Sequence, residues 1–212
     1  MKHLPAHVLK IDQSFVREML DDAESLSILE GVLGLASAFR RQVIAEGVET
    51  VEHGLLLLQL DCKLAQGYGI ARPMPADKIA AWMASWRPDP RWKKATAVSL
   101  EGRPALYAGV EHRAWIAAID AFLKGERHLA PGLDHRECRF CAWLDGEGRA
   151  GRGGLPALQA IDAMHRHIHG LAAELLDLKL QNWDAEVLAG LGELHGLQTA
   201  LLGQLEILMQ KA

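Results

Sequence analysis

The segment IDAMHRHIHGLAAEL, residues 161–175, determines how the second half of this 212-residue chain is expected to fold. Its apolar residues recur at spacings of three and four, which predicts an amphipathic helix with one buried face. Positions four apart share a helix face, whereas a position two residues away is turned by about 200°. His165 and His169 are therefore expected on the apolar face, and His167 is expected to point to solvent. The apolar face comprises Ile161, Ile168, Ala172 and Leu175.

Helical periodicity continues through the whole second half of the sequence. It predicts helices near residues 105–124, 155–180 and 183–210, with a shorter helix around Cys138 to Leu144, and together these form a small antiparallel bundle. The last helix has heptad-like apolar spacing that fits either a core or an oligomer seam, and a core is the favoured interpretation. The residues of this pattern are Val187, Leu191, Leu194, Leu197 or Gln198, Leu201, Leu205 and Leu208.

A third histidine, His112, is in register with the apolar face of the first bundle helix. That face comprises Ala108, Ile116, Ile119 and Leu123. Any one inward histidine is most simply a buried neutral side chain with a hydrogen-bond partner. Three imidazoles in one apolar core, however, carry a desolvation penalty that a shared cation removes. Nitrogen ligands and a nearby thiolate favour Zn²⁺ over Mg²⁺ or Ca²⁺, which prefer oxygen ligands.

Two of the three cysteines stand in a C-x-x-C spacing, in the stretch HRECRFCAWLDGEG at residues 135–148. Three cysteines are too few for a disulfide scaffold. In a reducing compartment, the pair Cys138 and Cys141 is metal-binding, redox-active or incidental rather than a structural bridge.

The first half of the chain alternates short apolar runs with helical patterns. The runs at residues 7–11, 42–47 and 65–71 predict strands, and the order β-α-β-α-β-α predicts parallel strands in an α/β layer or barrel. The stretch RPDPRWKKATAVSLEGRP follows and has no sustained period, so it is interpreted as a junction. The predicted domains are residues 1–87 and 104–212, separated by a linker at 88–103.

The composition excludes some classes of protein. A net charge of −4, with no block of like charges, argues against a non-specific nucleic-acid binder. The N-terminal residues lack the apolar core of a signal peptide, and no run of about 18 uncharged apolar residues occurs, so no transmembrane segment is expected. We therefore expect a cytoplasmic protein.

The motifs EHRAWIAAI, HRECRFCAWLDGEG and AMHRHIH resemble, in order and spacing, the chemoreceptor zinc-binding domain family. The resemblance covers roughly residues 104–210 and implies an all-α four-helix zinc-binding bundle. It also implies that one Zn²⁺ is bound by His112, Cys138, His165 and His169. Cys141 stands where the family pattern C-x-F-G-x-W has glycine, which leaves two candidate thiols and adds a possible redox pair. Cys141 and His167 are left out of the predicted zinc site.

The motifs LKIDQSFV, VIAEGVET and AQGYGIARPMP resemble the last third of an EAL-type cyclic di-GMP phosphodiesterase. The resemblance implies the last three β-α units of a (β/α)₈ barrel, whose catalytic rim lies at the C-terminal ends of the strands. It also implies that Lys10 orients or activates the attacking water, Glu46 binds metal, Gln66 contacts the site and Glu49 supports the loop. Mg²⁺ or Mn²⁺ is implied only in a complete barrel.

The chain does not contain the family's E-A-L strand, its metal-binding asparagine or its D-D-F-G pair. We therefore expect it to be catalytically incomplete as given, and whether it counts as an enzyme stays open. The leading interpretation is the zinc-binding regulatory C-terminal portion of a bacterial cyclic di-GMP phosphodiesterase, forming a homodimer. The alternative is a non-catalytic zinc or redox sensor and dimerisation module, in which oxidation of a zinc-bound Cys138 releases the metal.

Overall fold

The computed structural model describes residues 6–100, 102–133, 140–141, 144 and 156–210. The chain forms two compact units, the first extending to Val98 and the second beginning at Ser99. Among the described residues, no helix combines the length and the apolar character needed to span a bilayer.

The first unit contains a three-stranded parallel sheet in the order β1-β2-β3, formed by Val8–Ile11, Gln42–Glu46 and Ala65–Gln66. Lys10 pairs with Ile44, and Glu46 pairs with Gln66. The parallel sheet confirms the α/β prediction for this half, and the Glu46–Gln66 pairing sets these two predicted site residues side by side.

The third strand is shorter than the sequence predicts, because the run at 65–71 is extended only over two residues. A Cβ on Gly67 would lie 2.2 Å from the Val48 carbonyl oxygen, so the backbone here packs directly on the loop after β2. Gly69 donates its N–H to the same carbonyl at 2.9 Å. The chain therefore bends around this loop instead of continuing the strand.

Four helices connect and flank these strands: α1 (Gln13–Glu18), α2 (Ala23–Ala38), α3 (Val51–Gln59) and α4 (Ala76–Ser85). The last three follow β1, β2 and β3 in turn, which matches the predicted order β-α-β-α-β-α. Helix α2 begins at Asp22, whose carboxylate accepts hydrogen bonds from the first backbone N–H groups of the helix. Helix α1 has fewer than two turns, which is too short for periodicity alone to reveal.

A short helix, α5 (Pro90–Lys94), lies within the predicted linker and packs on α3. The Trp92 indole N–H donates to the Val51 carbonyl at 2.7 Å. The ring covers Gly54 so closely that a Cβ there would lie 2.4 Å from it. Further along, the Val98 N–H donates to the Gln59 carbonyl at 2.8 Å. This part of the junction is therefore attached to the first unit.

The second unit is built from three long helices, α6 (Arg103–Leu123), α7 (Pro156–Leu180) and α8 (Asp184–Gln210). Their positions confirm the three long predicted helices. The predicted shorter helix around Cys138 to Leu144 lies mostly outside the described residues. Residues 140 and 141, which the structure describes, are helical. The heptad-like residues of α8 face the core, as predicted, and those that are fully buried are Val187, Leu191, Leu194, Leu201, Leu205 and Leu208.

Candidate metal centre and cleft

Three histidines from two helices of the bundle converge in its core. His112 lies on α6, while His165 and His169 lie one turn apart on α7. One ring nitrogen of each lies within 4.8 Å of the others, and all three side chains are buried. The side chain of His167, in contrast, is 58% exposed. The orientations predicted from helical periodicity are therefore confirmed.

His169 is oriented by groups from α6 and from the chain segment that follows it. Its Nδ1 lies 3.2 Å from the Leu133 carbonyl oxygen. A carbonyl only accepts hydrogen bonds, so Nδ1 carries the hydrogen, which leaves Nε2 as the ring nitrogen that could bind an ion. Trp115 stacks on the imidazole with ring centroids 4.2 Å apart, and its own N–H donates to the Gly132 carbonyl at 2.7 Å. Sequence analysis did not identify these contacts.

His112 is neutral and desolvated. Both of its ring nitrogens are buried and have no hydrogen-bond partner in the part of the chain that the structure describes. Burial, followed by the neighbouring His165 and His169, lowers the pKa of His112 to about 3. A buried polar group without a partner is destabilising, and a bound cation would satisfy its lone pair. Three imidazoles in a buried cluster fit the ligand chemistry of a zinc ion.

A thiol lies beside this cluster. Cys141 is 8% exposed, and its Sγ lies 3.7 Å from Nδ1 of His165. Phe140 packs edge-on against the same imidazole with ring centroids 4.8 Å apart. Cys138, the predicted thiolate ligand, lies outside the described residues. The structure therefore brings together His112, His165 and His169 and adds Cys141 next to them.

The polar side chains predicted in the first unit also meet. Lys10, on β1, forms an ion pair with Glu46 at the end of β2. The Gln66 side-chain amide, on β3, donates to the same carboxylate oxygen at 2.7 Å. Parallel strands place their C-terminal ends at one edge of a sheet, which explains why residues from three separate motifs come together. Lys10, Glu46 and Gln66 are thus adjacent at the C-terminal edge of the sheet.

Glu46 and Gln66 border an open cleft of about 440 Å³ that is also lined by Glu49. Glu49 pairs with Arg17 of α1 at 2.8 Å rather than with the Lys10 group. On another side of the cleft, the Arg72 guanidinium lies over the Tyr68 ring at 4.8 Å from its centroid. The lining therefore combines two carboxylates, two guanidinium groups and an aromatic ring.

A buried histidine fixes the loop that carries Glu49. His53 Nδ1 accepts a hydrogen bond from the Thr50 N–H at 3.2 Å, and its Nε2 lies 3.2 Å from the Arg17 carbonyl, to which it donates. The Thr50 hydroxyl in turn accepts from the His53 N–H, which closes a capping box at the start of α3. The T-x-x-H spacing was the sequence signal that could have revealed this role.

The cleft does not by itself fit a pair of divalent cations. Glu46 is the predicted metal ligand, and its carboxylate is already bound by Lys10 and Gln66. Two-metal sites need several oxygen ligands arranged around both ions. Within the described ranges, the histidine cluster is the one group of three or more potential ligand residues close enough to share an ion.

Comparison with known protein families finds a match in each half of the chain. Residues 1–73 match the model of the EAL domain, and residues 112–176 match that of the chemoreceptor zinc-binding domain. The oxygen sensor protein DosP of Escherichia coli is 40% identical over 85 residues, which are 40% of this chain and 11% of that protein.

Two proteins of Pseudomonas aeruginosa give similar matches. The bifunctional diguanylate cyclase/cyclic di-GMP phosphodiesterase MucR is 37% identical over 84 residues, 40% of this chain and 12% of MucR. A cyclic di-GMP phosphodiesterase is 37% identical over 83 residues, 39% of this chain and 14% of the relative. The chain thus spans only a small part of the length of these relatives. Its N-terminal part thus matches the EAL domain, and a later part matches the chemoreceptor zinc-binding domain.

Proposed function

We propose that this chain is the zinc-binding regulatory portion of a bacterial cyclic di-GMP phosphodiesterase. The observation that carries the proposal is the convergence of three buried histidines from α6 and α7 in the part of the chain that matches a zinc-binding domain. His112, with no hydrogen-bond partner for either ring nitrogen among the described residues, is the strongest sign that the cluster serves a ligand.

In this proposal His112, His165, His169 and Cys138 bind one Zn²⁺. A zinc site closed by four protein ligands is structural, so the ion would supply a cross-link between helices rather than a catalytic water. His169 presents its Nε2 because Leu133 engages its Nδ1. His112 stays neutral because its pKa is far below neutral pH, so no proton competes with the metal there under ordinary conditions.

The cleft of the first unit would contribute to hydrolysis of cyclic di-GMP in a complete barrel. Lys10 and Gln66 hold the Glu46 carboxylate in place, and Glu49 keeps Arg17 at the cleft wall. Guanidinium groups suit phosphate oxygens, and an aromatic ring such as Tyr68 suits a planar base. Three β-α units supply less than half of an eight-unit barrel, so we propose that the chain as given does not hydrolyse the substrate alone.

Zinc occupancy would regulate the barrel in the complete protein, which we propose to be a homodimer. Part of a route that could transmit zinc occupancy to the cleft exists within the first unit. Helix α5 in the junction packs on α3, and α3 is capped by the loop that carries Glu49. If zinc changes substrate affinity, substrate must change zinc affinity by the same factor.

The zinc assignment is tested by metal analysis of the purified chain. We expect wild type to contain one equivalent of zinc and His169→Ala to lose most of it. His167→Ala, on the exposed face of the same helix, is the matched control and should retain the full equivalent. A full equivalent in His169→Ala would refute the ligand assignment.

A second candidate is a non-catalytic zinc or redox sensor and dimerisation module. It is favoured by the cleft itself, in which Glu46 is engaged by Lys10 and Gln66 and cannot form a two-metal site unaided. Titration of this chain with labelled cyclic di-GMP separates the two candidates. Saturable binding that Arg17→Ala or Arg72→Ala weakens would support the phosphodiesterase cleft, and no binding would support the sensor module.

A further inference from the structure

We infer that Cys141 is a second thiolate ligand of the metal centre, able to complete the coordination in place of Cys138. The inference rests on the proposed function, because it presupposes that the histidine cluster binds zinc. It concerns a residue that the motif comparison excludes, since Cys141 occupies the position of a glycine in the resembling family.

The distance between the donor atoms supports this role. Zinc bonds of about 2.3 Å to sulfur and about 2.0 to 2.1 Å to nitrogen, at a tetrahedral angle, set two such ligands about 3.6 Å apart. Cys141 Sγ and His165 Nδ1 are 3.7 Å apart. These two atoms therefore already have the separation of two ligands of one tetrahedral ion.

The surroundings of the thiol also point to a metal. His165 is fully buried, and His112, which is 4% exposed, has two ring nitrogens without a hydrogen-bond partner among the described residues. The His112 and His165 ring centroids are 5.1 Å apart, so the thiol lies at the edge of the same cluster. The simpler alternative is that the Cys141 thiol only hydrogen-bonds to the His165 imidazole and packs beside it as a small side chain. The two roles differ in whether a thiolate bonds to the metal.

The sequence spacing permits either thiol to reach the ion. Cys138 and Cys141 are three residues apart, the C-x₂-C spacing with which two cysteines bind one zinc in many structural sites. Three histidines and two cysteines provide five donors for four tetrahedral positions. One thiolate therefore suffices at a time, and loss of either cysteine is compensated by the other.

Cobalt substitution tests this directly, because Co²⁺ occupies zinc sites and a bound thiolate gives an intense near-ultraviolet charge-transfer band. We expect the band in the full chain, in Cys138→Ser and in Cys141→Ser, and its complete loss in the double variant. Cys62→Ser, which removes a buried cysteine from the other unit, is the matched control and should leave the band unchanged.

The outcomes separate the two proposals. If the wild-type chain binds neither Zn²⁺ nor Co²⁺, the proposed function fails. If wild type binds Co²⁺ with a thiolate band and folded Cys138→Ser shows no such band, the proposed role of Cys141 is refuted while the proposed function stands. Circular dichroism reports whether each variant is folded. Cys138→Ala, which leaves no hydroxyl group, serves in place of a Cys138→Ser variant that does not fold.

Discussion

His112 is a residue whose local environment favours ligand binding over stability. Its imidazole is buried without a hydrogen-bond partner in the described part of the chain, and its nearest aromatic neighbours include Trp115 and His165. An apolar side chain of similar size would avoid the desolvation cost of two ring nitrogens. His112 thus provides a candidate ligand for the metal centre and lowers the stability of the metal-free fold.

The pH dependence of the metal-free bundle follows from the same residue. Burial and the two neighbouring histidines lower the pKa of His112 from 6.5 to about 3 in the folded state. Between these values the unfolded chain binds a proton here that the folded chain does not. Proton binding to His112 in the unfolded chain therefore lowers the stability of the metal-free bundle as the pH falls from 6.5 toward 3, by up to about 1.4 kcal/mol per pH unit, and has no effect above pH 6.5.

His112→Leu should remove this pH dependence and raise the stability of the metal-free bundle at neutral pH by about 1 to 3 kcal/mol, while abolishing zinc binding. Denaturant unfolding at several pH values, with chelator present, measures both effects. His167→Leu on the exposed face is the control, and its pH slope should match that of wild type. An unchanged slope in His112→Leu would contradict the prediction.

Side-chain direction was the part of the site that could be predicted from the sequence. A helix period of 3.6 residues fixes which positions share a face, so it placed His165, His169 and His112 inward. The same rule does not reveal Trp115 or the Leu133 carbonyl at His169, because these contacts join His169 to residues far away in sequence, 36 positions away in the case of Leu133. Cys141 was excluded by analogy, whereas the structure places its thiol 3.7 Å from His165.

At the scale of elements, long periodic helices were predicted well and short elements were not. Helices α6, α7 and α8 carry many repeats of one pattern, so their predicted bounds differ from the observed ones by no more than two residues at either end. Strand β3 is shortened by the packing of Gly67 on Val48, and α5 is held by Trp92 on α3. Both features depend on tertiary contacts that no local pattern encodes.

Gly54 allows α5 to pack on α3. A Cβ at this position would lie 2.4 Å from the Trp92 ring, so we expect Gly54→Ala to displace the indole and destabilise the first unit by about 1 to 3 kcal/mol. Loss of the indole hydrogen bond to Val51 should change tryptophan fluorescence. Denaturant unfolding provides the stability measurement.

A second helical glycine provides the control. Gly31 on α2 has open space where its Cβ would be, so Gly31→Ala should be neutral or stabilising by up to about 1 kcal/mol. In a Trp92→Ala background, Gly54→Ala should lose most of its cost, because the obstructing ring is gone. Equal effects of Gly54→Ala in both backgrounds would show that this contact is not the cause.

At the scale of the whole chain, two compact units imply two unfolding transitions that respond differently to zinc. An ion that binds only the folded bundle stabilises it by about 2.7 kcal/mol at one hundred times the dissociation constant. We expect calorimetry to show a large zinc-dependent rise in one transition. Any smaller rise in the other transition measures the coupling free energy between the units.

The zinc-dependent rises in both unfolding transitions should disappear in His169→Ala and persist in His167→Ala. Zinc-dependent shifts of equal size in His169→Ala would indicate binding elsewhere on the chain. The calorimetric experiment thus also measures how far the junction transmits zinc binding, which the sequence could not predict because RPDPRWKKATAVSLEGRP has no period of its own.

The division of the ligands between helices gives the metal centre a mechanical property. Two imidazoles come from α7 and one from α6, and an axial slip of one residue along a helix is about 1.5 Å. Zinc–ligand bonds tolerate only about 0.2 Å of variation. A bound ion would therefore restrain axial sliding of α6 along α7. Displacement of either helix along its axis would first have to break a bond between the metal and a ligand.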